Sequence, residues 1–183
     1  MISRLTTTAL GGAILVTLTA CASGPAMTPF SQAALPAAVQ VPAGHRVAFE
    51  TAAAGDITYA CRAKKDMAGQ YEWVFAGPDA GLKNRKGQVI GKYYGPPATW
   101  ELNDGAKLTG TQLAVAPNGA GNIPMQLVKA NPAMGGGMGQ GVSHIQRVAT
   151  KGGVAPAAPC DASTMGSKRV VTYTADYIFW KPA

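Results

Sequence analysis

From Pro42 onward the apolar residues recur at every second position, not at every third or fourth. Val47 and Phe49 alternate with Arg46, Ala48 and Glu50. In the next run Ile57, Tyr59 and Cys61 share a face, with Asp56, Thr58 and Arg62 off it. Tyr71, Trp73 and Phe75 make an aromatic stripe beside Glu72 and Ala76. A period of two marks a strand with one buried face, and a stripe of this kind is expected to fill a core. Further strands are expected over 88–94, 98–102, 111–116, 123–130 and 142–149. In a last run, 169–180, Val171, Tyr173, Ala175, Tyr177 and Phe179 fall on one face. Turn signals separate them: Lys86-Gly87, Asn103-Asp104-Gly105, Pro117-Asn118-Gly119 and Asn131-Pro132. About nine short strands in this arrangement predict an all-β fold, a single antiparallel β-sandwich or barrel-like domain with long Gly/Pro loops. One helical turn is expected, over 160–165, capped by Asp161 or Ser163. The stretch 132–141, with five glycines and two methionines, is expected to be a mobile hairpin loop.

The first forty residues follow another rule. Residues 1–4 end in Arg4, and 9–18 are apolar, about ten residues where a membrane span takes about 20. That is the form of a secretory signal. It runs into Leu18-Thr19-Ala20-Cys21, which fits a lipobox: small residues admit the signal peptidase, and Cys21 offers a thiol for diacylglyceryl transfer and then an amino group for acylation. Residues 1–20 are therefore expected to be a lipoprotein signal peptide and Cys21 the lipidated residue. Ala22 in place of an aspartate favours the outer membrane. The expected location is the bacterial cell envelope, lipid-anchored at the outer membrane and facing the periplasm. Residues 22–41 hold no charged side chain and contain Pro25, Pro29 and Pro36, so 21–41 reads as the lipidated cysteine and a flexible tether, and 42–183 as the β-rich domain.

Composition narrows the picture. Of 183 residues 14% are charged, while 23 are Gly and 13 Pro, which excludes a helix bundle, a coiled coil and a charged disordered chain. The formal charge is +7. Losing Arg4 with the signal leaves 15 Lys and Arg against 9 Asp and Glu, so a surplus of +6 belongs to the mature chain. Once Cys21 carries lipid, Cys61 and Cys160 are an even pair in an oxidising compartment, read as one disulfide closing a loop of about 100 residues.

Catalytic signatures are absent. There is no G-x-S-x-G: Gly141-Val142-Ser143-His144-Ile145 lacks the second glycine. No dinucleotide fingerprint, Walker loop or H-E-x-x-H occurs, and no cofactor is expected. Met134 and Met138 with His144 are a thioether–imidazole set of the kind that suits Cu(I), but a flexible loop opposes an ordered site, and no metal is expected. Lys83, Arg85 and Lys86, with Lys92 nearby, read as solvated hairpin charges; lipid phosphates or an anionic cell wall are the alternative partners. Nucleic acid is not an expected partner of an exported lipoprotein. Two segments carry candidate binding residues: the aromatic turn with Tyr93, Trp100 and Glu101, and the polar run with His144, Arg147, Thr150 and Lys151. They could line one groove with an aromatic stacking surface, or be connections fixed by Gly and Pro with Trp100 in the core.

The same segments resemble a known family. Val41-Pro-Ala-Gly44, Tyr59-Ala-Cys61, Gly95-Pro, Thr99-Trp-Glu101, Asp104-Gly105, Ile145-Gln-Arg147, Thr150-Lys-Gly-Gly153, Ala155-Pro156, Cys160-Asp161 and Tyr173-Thr-Ala-Asp-Tyr177 are similar in order and spacing to domain of unknown function family 3455, found in secreted or envelope proteins of bacteria and fungi. The likeness covers nearly all of 41–180. Departures are Pro97-Ala98, which widens the usual Gly-Pro-Thr-Trp, Met125 where an aromatic is common, and an enlarged Gly-Met loop. The resemblance implies a secreted β-rich domain and brings no catalytic residue with it. The expected function is a non-enzymatic cell-envelope lipoprotein whose β domain binds an envelope component, a glycan or lipid, or a small ligand. The alternatives are a periplasmic enzyme with a polar groove around His144 and Arg147, or a lysozyme-inhibitor-like protein binder.

Overall fold

The runs expected as separate strands around Val47 and Ile57 are one continuous strand of 19 residues, β1 (His45–Ala63). At Gly55 a Cβ would run into the backbone of Asp79 and Ala80, so the neighbouring strand lies tight against it. This fusion leaves eight strands, not nine, in the computed structural model, which describes residues 29–183. The expected signal peptide and the lipidation site at Cys21 lie outside the described residues.

After β1 come β2 (Tyr71–Lys83), β3 (Val89–Tyr94), β4 (Thr99–Leu102), β5 (Lys107–Ala116), β6 (Met125–Ala130), β7 (His144–Gly152) and β8 (Lys168–Pro182). Each pairs antiparallel with the next, and β8 returns to β1 over the register from His45–Pro182 to Ala60–Lys168, closing a barrel. Closure removes both sheet edges and sorts side chains by parity into inside and outside. The alternating face of the last run is the inner one: Tyr173, Ala175, Tyr177 and Phe179 are buried in the lumen. Phe49 stacks on Phe179 at 4.1 Å between centroids, and Tyr93, Trp100 and Tyr177 pack together at 4.8–5.6 Å.

A second core lies outside the barrel. Met125, Leu127, Val148, Ile178 and Trp180 form an outward apolar patch on β6, β7 and β8, and residues 29–41 cover it. This corrects the expected tether over its described part. Val39, in a 3-10 helix over Ala37–Val39, is fully buried, as is Val41; Phe30 meets Trp180 edge-on at 6.2 Å. The segment docks because it carries apolar side chains in register with that patch and has a polar clamp. Gln146 Nε2 donates to Val39 O at 2.6 Å and to Gln32 Oε1 at 3.0 Å, while Gln146 Oε1 accepts the indole N–H of Trp180 at 2.7 Å.

The lower rim of the barrel carries His45, the turn after Lys83, the turn after Leu102 and the loop 131–143. That loop, expected to be a mobile hairpin, makes specific contacts with the β4–β5 turn. Met134 and Lys107 exchange backbone hydrogen bonds of 2.8 and 2.9 Å, Met138 N donates to Asp104 Oδ2 at 2.7 Å, and Val142 is buried. Its glycines serve close approach: at Gly137, with φ of 97°, a Cβ would strike the Asp104 carboxylate. The upper rim carries the 64–70 turn, the 95–98 turn, the loop 117–124 and the segment 153–167. Here Cys61 and Cys160, 99 residues apart, form the disulfide. Asp161 caps the turn beside it, its Oδ1 accepting from the amides of Ser163 at 2.9 Å and Thr164 at 3.1 Å. Of the stripe Tyr71, Trp73 and Phe75, only Trp73 packs against the lumenal core, and it is half-buried. The β3 ladder reaches β2 only from Asp79, so the start of β2 pairs with β1 alone and stands proud of the barrel.

The clamp on the second core generates a prediction. Gln146→Leu keeps the volume but strands the Trp180 N–H and the Val39 carbonyl, each costing about 1–3 kcal/mol when left unpaired in the interior. Urea unfolding should show that loss, and limited proteolysis should show faster cleavage within 29–41.

Candidate functional site

The barrel wall is incomplete on one side, and strand lengths are the cause. β4 meets β5 only through the pairs Thr99–Thr109, Trp100–Leu108 and Glu101–Lys107. The hairpin then turns back through Gly95, Pro96, Pro97 and Ala98, whereas β5 runs on to Ala116 with only β6 beside it. The notch opens into a cleft of about 360 Å³. One wall is aromatic, built from Phe75, Tyr93 and Trp100; the other is polar, built from Gln112, Gln126 and Arg147, with Gly110 and Val128 between them. Gly110 is obligatory, because a Cβ there would press on the Lys129 carbonyl and the Val128 side chain at 2.5 Å.

Parity explains who points inward. Arg147 pairs with Gln126 on one side and Tyr177 on the other, and so takes the lumenal face that Ile145 and Tyr177 share. Its Nε and Nη2 donate to the Pro124 carbonyl at 3.2 and 3.1 Å, which holds the guanidinium across the opening. Gln126 Nε2 donates to Gln112 Oε1 at 2.5 Å. No acidic side chain among the described residues pairs with Arg147. Behind the aromatic wall the indole N–H of Trp100 is buried and has no hydrogen-bond partner within the described protein, and the hydroxyls of Tyr173 and Tyr177 are buried beside each other. Burial pushes the Tyr173 hydroxyl up to about 12 and that of Tyr177 well above its ordinary value, and raises that of Tyr93. These phenols stay protonated at any physiological pH and remain donors. The cleft combines flat apolar area with a positive charge that no acidic side chain offsets.

Of the residues singled out in the sequence, Tyr93, Trp100 and Arg147 come together here. Glu101 does not: it follows Trp100 in a strand and therefore points outward. There it accepts from Tyr94 OH at 2.7 Å and lies 3.4 Å from Lys107 and 3.8 Å from Lys92. The hydrogen bond from Tyr94, and then Lys107, hold its carboxyl below the ordinary range. His144 is also outward, buried at the lower rim edge-on to His45 at 4.8 Å, with Ser143 Oγ 3.1 Å from its Nδ1. Thr150 is buried, accepts from Asn118 Nδ2 at 2.8 Å and donates to the Ile123 carbonyl, tying the loop 117–124 to β7. A backbone irregularity between Val148 and Lys151 in the β7–β8 pairing accompanies a φ of 49° at Ala149, and Lys151 borders a separate surface concavity with Asp176. The single groove holding all these residues does not form. No group of three or more His, Cys, Asp or Glu side chains suited to a metal occurs among the described residues.

Phe75, Gln112 and Gln126 were missed. Phe75 read as core, but is 51% exposed at the cleft edge. For the two glutamines the available signal was a polar side chain at an inward position of a strand, which has weight only once the inward face is known.

The position of His144 has a measurable consequence. Burial, then Lys129 and His45, push its imidazole below the ordinary 6.5. The unfolded chain therefore takes up a proton more readily, so stability is full above about pH 6.5 and declines as pH falls below it. Melting temperature should drop between about pH 7.5 and 5, and the drop should be smaller in His144→Gln.

Neither a curated protein nor a solved structure matches the chain. A family does, over residues 42–181, a span that runs from just before β1 almost to the end of β8 and takes in both walls of the cleft. The chain thus belongs to the family described as protein of unknown function (DUF3455).

Proposed function

We propose that this protein is a lipid-anchored component of the bacterial envelope whose barrel binds a small ligand in the notch between β4 and β5. The observation that carries the reading is the cleft itself, with an aromatic wall facing Arg147, whose charge has no acidic partner there. Such a site favours a flat or apolar body bearing a carboxylate or another oxygen-rich anionic group, because stacking and a charge-assisted hydrogen bond act on opposite sides of one molecule. Binding is preferred over catalysis because His144, the base on which an enzymatic groove would depend, faces away from the cleft. Localisation rests on the lipobox ending at Cys21 and the uncharged residues after it.

Two experiments test the two halves. A thermal-shift screen of aromatic carboxylates, sugar acids and their neutral amides should yield hits among the acids. A ligand at about 100 times its Kd adds about 2.7 kcal/mol, a rise of roughly 5–10 °C for a domain of this size. Arg147→Gln and Phe75→Ala should each reduce that rise while leaving the unliganded protein folded; hits indifferent to both, or no hits, would refute the site. For the anchor, Cys21→Ser should abolish incorporation of labelled fatty acid.

A further inference from the structure

Basic side chains stand at both rims of the barrel, and the lower rim is the one the N-terminal segment reaches. At the lower rim Lys83, Arg85 and Lys86 surround the β2–β3 turn, Arg46 and Lys181 face each other across the β1–β8 ladder, and Lys129 sits on β6 opposite His144. Like charges directly opposite on neighbouring strands destabilise a sheet, so the Arg46–Lys181 pair has no folding rationale of its own. Three acids stand at this rim: Glu50 pairs with Arg85, Asp176 lies in the same concavity, and Asp104 accepts from the amides of Ala106 and Met138, while Arg46, Lys83, Lys86, Lys129 and Lys181 form no ion pair among the described residues. The upper rim is basic as well, with Lys64, Lys65 and Arg169, although there Arg62 is registered against Glu72 and Lys168 shares a concavity with Asp79.

The chain reaches the barrel at the same lower rim. Phe30, next to the first described residue, lies against Trp180 near the end of β8 and shares a concavity with Asn84 and Arg85 of the basic turn. Between Cys21 and Pro29 there are eight residues counting the cysteine, which reach at most about 28 Å fully extended. A lipid on Cys21 would confine the basic rim to within that distance of the bilayer and leave it free to come within the Debye length of about 8–10 Å over which an anionic surface attracts lysines and arginines.

We propose that the lower rim of the barrel docks on the anionic lipid surface in which Cys21 is anchored, holding the barrel axis upright. The inference rests on the lipidation reading above. The occupant is the phosphate layer of the membrane: Arg46, Lys83, Lys86, Lys129 and Lys181 meet phosphates, and the N-terminal segment that leads to the lipid reaches the barrel at this end. The rest of the fold follows from that orientation, with the loop 131–143 toward the bilayer and the disulfide-bonded rim away from it.

Trypsin protection reads the contact directly, and residues 22–41 contain no Lys or Arg, so the protease cannot release the anchor through them. Full-length lipidated protein is placed in vesicles of phosphatidylcholine alone, or with 30% phosphatidylglycerol. Cleavage at Lys83, Arg85 and Lys86 should slow at least tenfold in the anionic vesicles, while cleavage at Lys64 and Lys65 on the opposite rim stays unchanged. Salt at 0.5 M, or Arg46→Glu with Lys181→Glu, should restore it. Protein that floats with both vesicles and is cut equally in both refutes the docking alone. Protein that floats with neither refutes the anchor, and the docking with it.

Discussion

The β1–β8 ladder decides the architecture. It runs from His45–Pro182 to Ala60–Lys168, and by joining the first strand to the last it gives every strand an inside and an outside. Two cores result, one on each side of the same wall. Tyr173, Ala175, Tyr177 and Phe179 face the lumen, and Ile178 and Trp180, from the same strand, face the segment 29–41. Closure buries the first of these faces, and the segment 29–41 buries the second. Burying both strengthens β8, and the polar clamp of Gln146 ties the second layer to the first by hydrogen bonds that an apolar side chain could not supply.

Closure also explains why the wall has a gap where it does. A closed sheet needs hydrogen bonding between every neighbouring pair but does not need equal strands. β4, with four residues, satisfies the ring at the lower part and leaves the upper half of β5 with one partner. The interior is thereby exposed beside Trp100, and the cleft has walls of opposite character because different strands supply them. Aromatic side chains come from β2, β3 and β4, polar ones from β5, β6 and β7. Arg147 is the one charged side chain on an inward wall it shares with Ile145, Gln126 and Gln112, and it has no acidic partner there, which is the reason it commands attention as a ligand contact.

Much of this was legible from periodicity. The inner faces of β1 and β8 were visible in Ile57, Tyr59 and Cys61, and in the run from Val171 to Phe179; the disulfide followed from three cysteines and one lipobox. What stayed hidden depends on neighbours that the chain supplies from far away. Glu101 adjoins Trp100 in sequence and is separated from it by the thickness of the sheet. Residues 29–41 look like a tether because alanines and prolines carry no strand pattern, yet Val39 and Val41 find an apolar patch formed by β6, β7 and β8. The glycines of 132–141 suggest motion in isolation, while in place they let the backbone lie against Asp104 and Ala106. The stripe ending at Phe75 has the period of a buried strand face, but only the lengths of β2 and β3 reveal that it passes beyond the barrel.

Three tryptophans report on three separate regions: Trp73 on the projecting hairpin, Trp100 in the cleft and Trp180 beneath the N-terminal segment. Their indole N–H resonances, followed by NMR as benzoate or another aromatic carboxylate is added, test the central claim that the notch between β4 and β5 receives a ligand. The Trp100 resonance, together with Arg147 Nε, should shift in a saturable way while Trp180 stays fixed. A shift at Trp180 with Trp100 unmoved, or no shift at any of the three across the series, would contradict it.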